Sequence, residues 1–374
     1  MTHLDNLIYS SKAWNILSRA YTHKKNSSTY LFYGKEGSGR WLHAIAFTAL
    51  LNCESVQNEK SIVKPCGSCR NCMNIFNLNF DALKIAVPIP PHENKLDKAI
   101  DLTLETIQIK KDEPFALLTS ERTTNIPISL AREIKKNLSM RHDKGLIRVV
   151  LFYKMELMQK ASADALLKMI EEPPVDTVII LIADKPDSLL TTIQSRSQKV
   201  MIPKLSAESI KQYLLEKYDC REQDATLVSK ISEGSLGSAL QLLASMDENE
   251  KGQREIYFQI YKSLFAGDGA DILENMNSLL SLRDRSETLA MLNLWQIFIR
   301  DSANFAVTQD ENEICNIDFK NEIREISRYF SSARLAIKMS EAIKITLADL
   351  QRNVHIQGAL MALGLKLKNH IQTM

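Results

Sequence analysis

The amino-acid sequence predicts an α/β domain followed by two helical domains. Between Thr29 and Pro203, short β-branched and aromatic runs alternate with stretches of helical periodicity, and past Pro203 the strand-like runs stop. Alternating strands and helices are typical of a parallel sheet that helices cover on both faces. A chain of 374 residues is also longer than one hydrophobic core usually supports. We therefore place domains at residues 1–203, 204–246 and 252–374.

The composition is that of an ordinary globular protein with little net charge. There are 47 Lys and Arg against 45 Asp and Glu, a formal net charge of +2, with 45% hydrophobic and 25% charged residues. These values exclude a disordered or fibrous chain and argue against a coat for nucleic acid. No basic segment followed by an apolar stretch opens the sequence, and the apolar run 178–183 is too short to span a bilayer. We expect a cytoplasmic protein with no membrane contact.

Three apolar runs of the first domain predict buried strands, at residues 29–33, 148–153 and 177–183. The apolar stretch 42–51 follows the first strand and predicts a helix. Residues 92–125 are polar and weakly patterned, so we treat them as an insertion and assign them no structure.

The rest of the chain predicts helices. Ser206 is a helix-capping residue type placed directly before a helical pattern. The polar segment 246–252 indicates either a linker or an exposed turn inside one helical domain. In the closing stretch one apolar stripe at i, i+4, i+7 and i+11 predicts a helix and consists of Ile356, Leu360, Leu363 and Leu367.

The cysteines are unevenly placed, and their spacing indicates a metal site. Four of the six lie close together in sequence and are Cys53, Cys66, Cys69 and Cys72. Such a set can offer four thiolates to a tetrahedral ion, and Gly67 lets the backbone curl between the first close pair. Two disulfides or four buried thiols are the alternatives. Because four cysteine ligands leave no open position, we predict structural zinc, and we treat Cys220 and Cys315 as ordinary residues.

A glycine-rich loop stands between the first strand and its helix, where a phosphate-binding loop belongs. Its glycines Gly34, Gly37 and Gly39 would let backbone N–H groups converge on an anion. A working loop would end in Lys and then Ser or Thr, but Arg40 and Trp41 hold these positions. The loop is therefore either an inert turn or a weak nucleotide site.

The end of the second predicted strand also departs from that of a working nucleoside triphosphatase. Acidic residues that hold Mg²⁺ and orient water are expected there, but the strand ends with Tyr153 and Lys154. A cation cannot take the role of a base. Magnesium-dependent ATP hydrolysis by this chain is therefore not expected.

Two further motifs carry a resemblance to a known family. Residues 164–174 read Asp-Ala-Leu-Leu-Lys-Met-Ile-Glu-Glu-Pro-Pro, similar to N-A-L-L-K-x-L-E-E-P-P, and Ser195-Arg196-Ser197 resembles S-R-C. Both motifs belong to the AAA+ subunits of bacterial DNA polymerase III clamp loaders. Residues 234–240 resemble the lid segment G-S-x-R-x-A-L of the same group, and its members also carry a four-cysteine zinc module. The resemblance implies an AAA+ α/β domain with a zinc-binding insertion at 53–72, a helical lid and an all-α collar.

The positions at which this chain differs from the family motifs indicate which type of subunit it resembles. The ATP-hydrolysing gamma/tau type keeps a loop lysine, an acidic strand end and a lid arginine, where this chain has Arg40, Tyr153-Lys154 and Gly237. That combination resembles the delta-prime type, which does not hydrolyse ATP itself. Ser197 in place of the motif cysteine is a further departure, but the arginine carries the chemistry of the motif.

The resemblance implies that Arg196, next to Ser195, acts as an arginine finger in the ATP site of a neighbouring subunit. The alternative is a surface arginine paired with a local carboxylate. Implied partners are gamma/tau-like and delta-like subunits, with the sliding clamp and primer–template DNA met through the assembly. Two other hypotheses are a divergent gamma/tau-type ATPase that uses Arg40, and a zinc-containing scaffold outside any clamp loader.

Overall fold

The protein is described from a computed structural model. The described residues are 7–9, 11–23, 27–59, 62–90, 95–118, 124–138, 145–158, 160–244, 251–266, 285–311, 314–351 and 354–373. They fall into two compact units: the first runs to Cys220 and takes in Ser232–Leu240, and the second contains Arg221–Ile231 and the chain from Gln241 onward. The division into three domains stays a prediction.

The first unit is built on a five-stranded parallel sheet. In sequence order its strands are β1 (Thr29–Tyr33), β4 (Leu83–Ala86), β5 (Arg148–Phe152), β6 (Thr177–Ala183) and β7 (Gln198–Met201). Their order across the sheet is β4-β5-β6-β1-β7, so β1 lies between β6 and β7. A separate antiparallel pair joins β2 (Gln57–Glu59) to β3 (Ile62–Lys64).

Helices accompany these strands in alternation, as the sequence predicts. They are α1 (Lys12–Thr22), α2 (Arg40–Leu51), α3 (Arg70–Phe76), α4 (Leu96–Asp112), α5 (Ile128–Leu138), α6 (Lys160–Glu171), α7 (Thr191–Arg196) and α8 (Ala207–Lys217). Every residue of α2 from Arg40 to Leu50 is buried, so this helix lies inside the unit rather than on its surface. Burial of this kind explains why its sequence is mostly apolar.

The predicted strands at 29–33, 148–153 and 177–183 are confirmed, the second ending at Phe152. The helix predicted at 42–51 is also confirmed and begins earlier, at Arg40. The predicted fold class is confirmed: a parallel α/β sheet with helices, followed by helices. The insertion 92–125, to which the sequence assigned no structure, contains the helix α4.

After β7 the described chain is helical. Ser206 caps α8 by accepting a hydrogen bond from the Ser209 N–H, as predicted. The following helices are α9 (Glu222–Ile231), α10 (Leu236–Ala244), α11 (Lys251–Ala266), α12 (Arg285–Thr308), α13 (Lys320–Ser327), α14 (Ala333–Gln351) and α15 (Ile356–Gln372). Within the second unit, aromatic side chains of α11 and α12 form much of the core.

The stripe predicted for the last helix is confirmed, since Leu360, Leu363 and Leu367 are buried in α15. The prediction of a linker or exposed turn at 246–252 is wrong for Lys251 and Gly252, which already belong to α11, and residues 246–250 lie outside the described residues. The helices described here include none that is both long enough and apolar enough to cross a membrane.

Candidate functional site

The glycine-rich loop has the backbone of a phosphate-binding loop. It connects β1 to α2, and Gly37 and Gly39 have φ of +74° and +103°. Only glycine adopts such angles without strain. Gly39 is the N-cap of α2, so the positive end of that helix faces the loop.

Arg40 is turned into the protein. Its side chain is 2% exposed, and Nη1 lies 2.7 Å from Oδ1 of Asp184, the residue that follows β6. Within the described chain, no acceptor has hydrogen-bond geometry to its buried Nη2. Burial raises the pKa of nearby Glu156; the charge of Asp184 adds to this and that of Arg40 opposes it. The guanidinium is therefore committed to an internal ion pair.

The residues that replace the acidic strand end bind the loop's own carboxylate. The Tyr153 hydroxyl donates to Oε1 of Glu36 at 3.2 Å, and Nζ of Lys154 lies 3.0 Å from the same oxygen. Burial raises the pKa of Tyr153, and the charge of Glu36 raises it further. Trp41 packs edge-on against the Tyr153 ring, with centroids 5.7 Å apart. At the strand end where a working enzyme needs acidic residues to bind a metal, this chain thus has a lysine that forms a salt bridge with Glu36.

Lys110, near the end of α4, closes the same cluster from the insertion. Its Nζ lies 5.0 Å from the Tyr153 ring centroid and 5.9 Å from that of Trp41, in cation–π positions. It also donates to the carbonyl of Ala116. Burial lowers the pKa of Lys110 to about 8, with Glu36 opposing the change and the positive charges of Lys154 and Arg40 adding to it.

Phe115 covers the loop. It is 2% exposed and packs edge-on against Tyr213, with ring centroids 5.6 Å apart. A Cβ on Gly39 would lie 3.4 Å from the Phe115 ring, so the ring rests directly on the start of α2. The insertion therefore supplies both a cation and an aromatic cover to the loop.

The turn before α10 presses on the loop from another direction. The Ser235 hydroxyl donates to the carbonyl of Glu36 at 2.7 Å, and the Gly237 N–H donates to the carbonyl of Gly37 at 3.3 Å. A Cβ on Gly37 would come within 2.4 Å of Ser235 Oγ. A Cβ on Gly237 would lie 2.3 Å from the Phe115 carbonyl oxygen, which gives a steric reason for glycine where the resemblance expects an arginine.

Arg196, by contrast, is exposed. It is the last residue of α7, its side chain is 43% exposed, and Nε lies 3.0 Å from Oε1 of Glu171. Nη1 donates to the Thr192 carbonyl at 3.3 Å and to Ser195 Oγ at 3.4 Å. None of these contacts involves the phosphate-loop residues. In the isolated chain Arg196 is therefore a surface arginine paired with a local carboxylate, which is the alternative to the arginine finger in the sequence analysis.

The predicted metal ligands come together. The sulfur atoms of all four lie within 4.8 Å of one another, in Cys53, Cys66, Cys69 and Cys72. Backbone N–H groups donate to three of these sulfurs at 3.2 to 3.4 Å. Burial raises the pKa of the Cys66 thiol, but the N–H groups of Cys69 and Ser68 outweigh it and bring it down to about 6.

This geometry fits a tetrahedral metal and not disulfides. All four cysteines are free, and the Cys66 and Cys72 sulfurs are 3.9 Å apart. Ligands at the usual zinc–sulfur distance of about 2.3 Å in a tetrahedron would be about 3.8 Å apart. The four cysteines could therefore hold a metal ion.

Sequence reasoning missed five residues of these clusters: Glu36, Lys110, Phe115, Asp184 and Glu171. Glu36 and Asp184 had a usable signal, because charged residues after parallel strands collect at one edge of the sheet. Lys110 and Phe115 had none, since their segment is polar and weakly patterned.

Comparisons with known proteins agree in pointing to one family. The profile of the family described as "DNA polymerase III, delta subunit" matches residues 9–206. DNA polymerase III subunit delta-prime of Bacillus subtilis (strain 168) is 24% identical over 345 residues, which cover 91% of this chain and 91% of that protein. The delta-prime subunit of Escherichia coli (strain K12) is 23% identical, over 88% of this chain and 85% of its own length. Subunit tau of Bacillus subtilis is 23% identical over 61% of this chain, but only 34% of tau is matched.

Proposed function

This chain belongs to the DNA polymerase III delta subunit family, as a delta-prime-type clamp-loader subunit, and from that premise we propose how it acts. It supplies Arg196 in trans to the ATP site of a neighbouring subunit and does not hydrolyse ATP itself. The assembly that it completes loads a sliding clamp onto primed DNA. One contrast carries the proposal: Arg196 is exposed, whereas two charged residues of the chain's own phosphate loop, Arg40 and Glu36, are paired within the chain.

The chemistry asked of Arg196 suits a guanidinium. The group stays charged at any pH a cell reaches and presents several donors in a fixed plane. Aimed at γ-phosphate oxygens, it stabilises the charge that develops there in the transition state. Ser195 supports it locally, because its Oγ accepts a hydrogen bond from Nη1.

The contacts around the phosphate loop support the absence of intrinsic hydrolysis. Arg40 is turned to Asp184 instead of the loop, and Lys154 neutralises Glu36. No residue directly after β5 offers an acidic ligand for Mg²⁺, since Tyr153 and Lys154 stand there. A divergent ATPase that depends on Arg40 is therefore the weaker hypothesis. Hydrolysis by the isolated chain that disappears in Arg40→Ala would support it.

The test of the main proposal uses the reconstituted assembly. Replacing Arg196 by Ala should slow hydrolysis roughly a thousandfold at the site that this chain completes, and lower total ATPase by that site's share. Arg221→Ala is the matched control, because Arg221 is also an exposed arginine in an ion pair, with Asp224. Unchanged ATPase in an intact Arg196→Ala assembly would reject the finger.

We further propose that the four cysteines hold structural zinc. Four cysteine ligands leave no open coordination position, so the ion would hold together residues 53–72 and take no part in the reaction. Metal analysis of the purified chain should find stoichiometric zinc that Cys69→Ser greatly reduces. Cys220→Ser is the control, because Cys220 is outside the cluster. Full zinc content in Cys69→Ser would contradict the assignment.

A further inference from the structure

We infer that Glu171 is a positioning residue that orients the guanidinium of Arg196 toward the neighbouring subunit. The inference rests on the proposed function of Arg196 and adds a residue to it. Its starting point is the contact of 3.0 Å between Nε of Arg196 and Oε1 of Glu171. Glu171 is the first glutamate of the Glu-Glu-Pro-Pro sequence that ends α6.

The backbone that carries Glu171 is fixed. The Thr29 hydroxyl, at the start of β1, donates at 3.0 Å to the carbonyl of Ile170 in a buried hydrogen bond. This bond ties the last turn of α6 to β1 of the sheet. Pro173 and Pro174 follow and prevent the helix from continuing. A carboxylate at a helix C-terminus is disfavoured by the helix dipole, so this placement has an electrostatic cost.

The backbone that carries Arg196 is fixed as well. The Ser197 hydroxyl donates at 2.7 Å to the carbonyl of Ile193, one turn back in α7. Two residues after Arg196 the chain enters β7, where Gln198 pairs with Tyr30 of β1. With both backbones held by β1, the freedom left to the pair lies in the two side chains.

Two of the three guanidinium nitrogens have partners within the chain. Nε meets Glu171, and Nη1 meets the Thr192 carbonyl and Ser195 Oγ. Among the residues that the structure describes, Nη2 has no hydrogen-bond acceptor. Nε and Nη1 thus have partners within the chain, while Nη2 is left for an anion outside it. An arginine held in this way loses less side-chain entropy on binding than a free one.

The same contact contributes little to folding. The side chains of Glu171 and Arg196 are 38% and 43% exposed, and exposed ion pairs add little to stability. Glu172 provides a matched control, because it is the adjacent glutamate, is exposed, and makes no ion pair within the described part of the chain. Glu171→Gln keeps the size of the side chain and removes its charge.

The experiment measures ATPase kinetics of the reconstituted clamp-loader assembly. With Glu171→Gln we expect kcat of the Arg196-dependent hydrolysis to fall roughly two- to fivefold, with KM for ATP unchanged, because the effect lies in the transition state. Glu171→Asp should recover part of the rate, and Glu172→Gln should match the wild type. Adding Glu171→Gln to Arg196→Ala should cause no further loss.

The outcomes separate this inference from the function on which it rests. Wild-type kcat in Glu171→Gln, with Arg196→Ala impaired, would overturn the positioning role and leave the finger intact. A higher kcat in Glu171→Gln would also overturn it, because Glu171 would then hold Arg196 away from its target. No effect of Arg196→Ala would overturn the proposed function itself.

Discussion

Arg40 and Arg196 carry the same charge and are used in opposite ways. Arg40 follows the strand β1, and its side chain is 2% exposed and paired with Asp184. Arg196 precedes β7, the strand beside β1, and its side chain is 43% exposed and paired with Glu171. The comparison teaches that the surroundings of an arginine, more than its identity, decide whether its charge is committed to one partner or can exchange partners.

Desolvation explains the difference. A buried guanidinium needs a permanent counter-charge, because leaving it unpaired away from water is costly. An exposed ion pair is screened by water and contributes little, so its arginine can exchange partners at low cost. Arg40 is therefore part of the interior, whereas Arg196 can exchange Glu171 for another anion at low cost.

The largest effect that would sharpen the contrast is expected from removing the counter-charge of Arg40. Asp184→Ala leaves a buried guanidinium without its carboxylate, but the Asp184 side chain is itself 50% exposed, so the free energy of unfolding should fall by about 2 to 3 kcal/mol. Urea denaturation followed by circular dichroism measures it. Asp187→Ala, an exposed aspartate three residues on, should cost under about 0.5 kcal/mol. Equal losses of unfolding free energy in the two variants would contradict the role of Asp184 as the counter-charge of Arg40.

A second test concerns Lys110, a buried cation of α4 that lies beside the phosphate loop. Its folded-state pKa of about 8 lies below the ordinary 10.5, so the unfolded chain binds the proton more tightly. The contribution of Lys110 to the free energy of unfolding therefore rises as the pH rises from about 8 to 10.5. Relative to Lys110→Met, the wild type should gain about 2 kcal/mol as the pH rises from 8 toward 10.5. Parallel stability–pH curves for the two proteins would show that Lys110 is not buried as a cation.

The smallest expected effect tests the cover over the loop. Gly37→Ala forces a left-handed backbone angle on alanine and drives a Cβ to 2.4 Å from Ser235 Oγ. Gly145→Ala, also at positive φ but with open space around its Cβ, isolates the cost of the angle alone. We expect Gly37→Ala to destabilise the chain by about 1 kcal/mol more than Gly145→Ala. Identical melting temperatures would mean that the turn does not rest on the loop.

Much of the first unit could be predicted because its signals are local. Thr29–Tyr33 and Thr177–Ala183 are continuous apolar runs, as strands buried on both faces are. The cysteine spacing alone predicted that four sulfurs lie close together, and the structure places them within 4.8 Å of one another. β4 and β7 were missed because four residues are too few for a period to show.

The side-chain pairings around the phosphate loop could not be predicted, because they join residues that are distant in sequence. The sequence shows that Arg40 replaces a lysine, but not that it turns to Asp184. Lys110 reaches Trp41 and Tyr153 from a helix in an insertion without a usable pattern. The partner of Arg196 was likewise open, since the sequence did not select Glu171.

The position of β1 in the sheet has a consequence for synthesis of the protein. Both strands that pair with β1 come much later in the chain: Thr29 aligns with Ile179, and Tyr30 with Gln198. A nascent chain leaves the ribosome N-terminus first, so β1 has no neighbour until residue 183 has emerged and lacks the second until residue 201 has emerged. Until β6 has emerged, an apolar strand with two open edges is exposed, which is a template for aggregation. Production of this subunit in cells should therefore depend on chaperones that hold β1 until its neighbours are made.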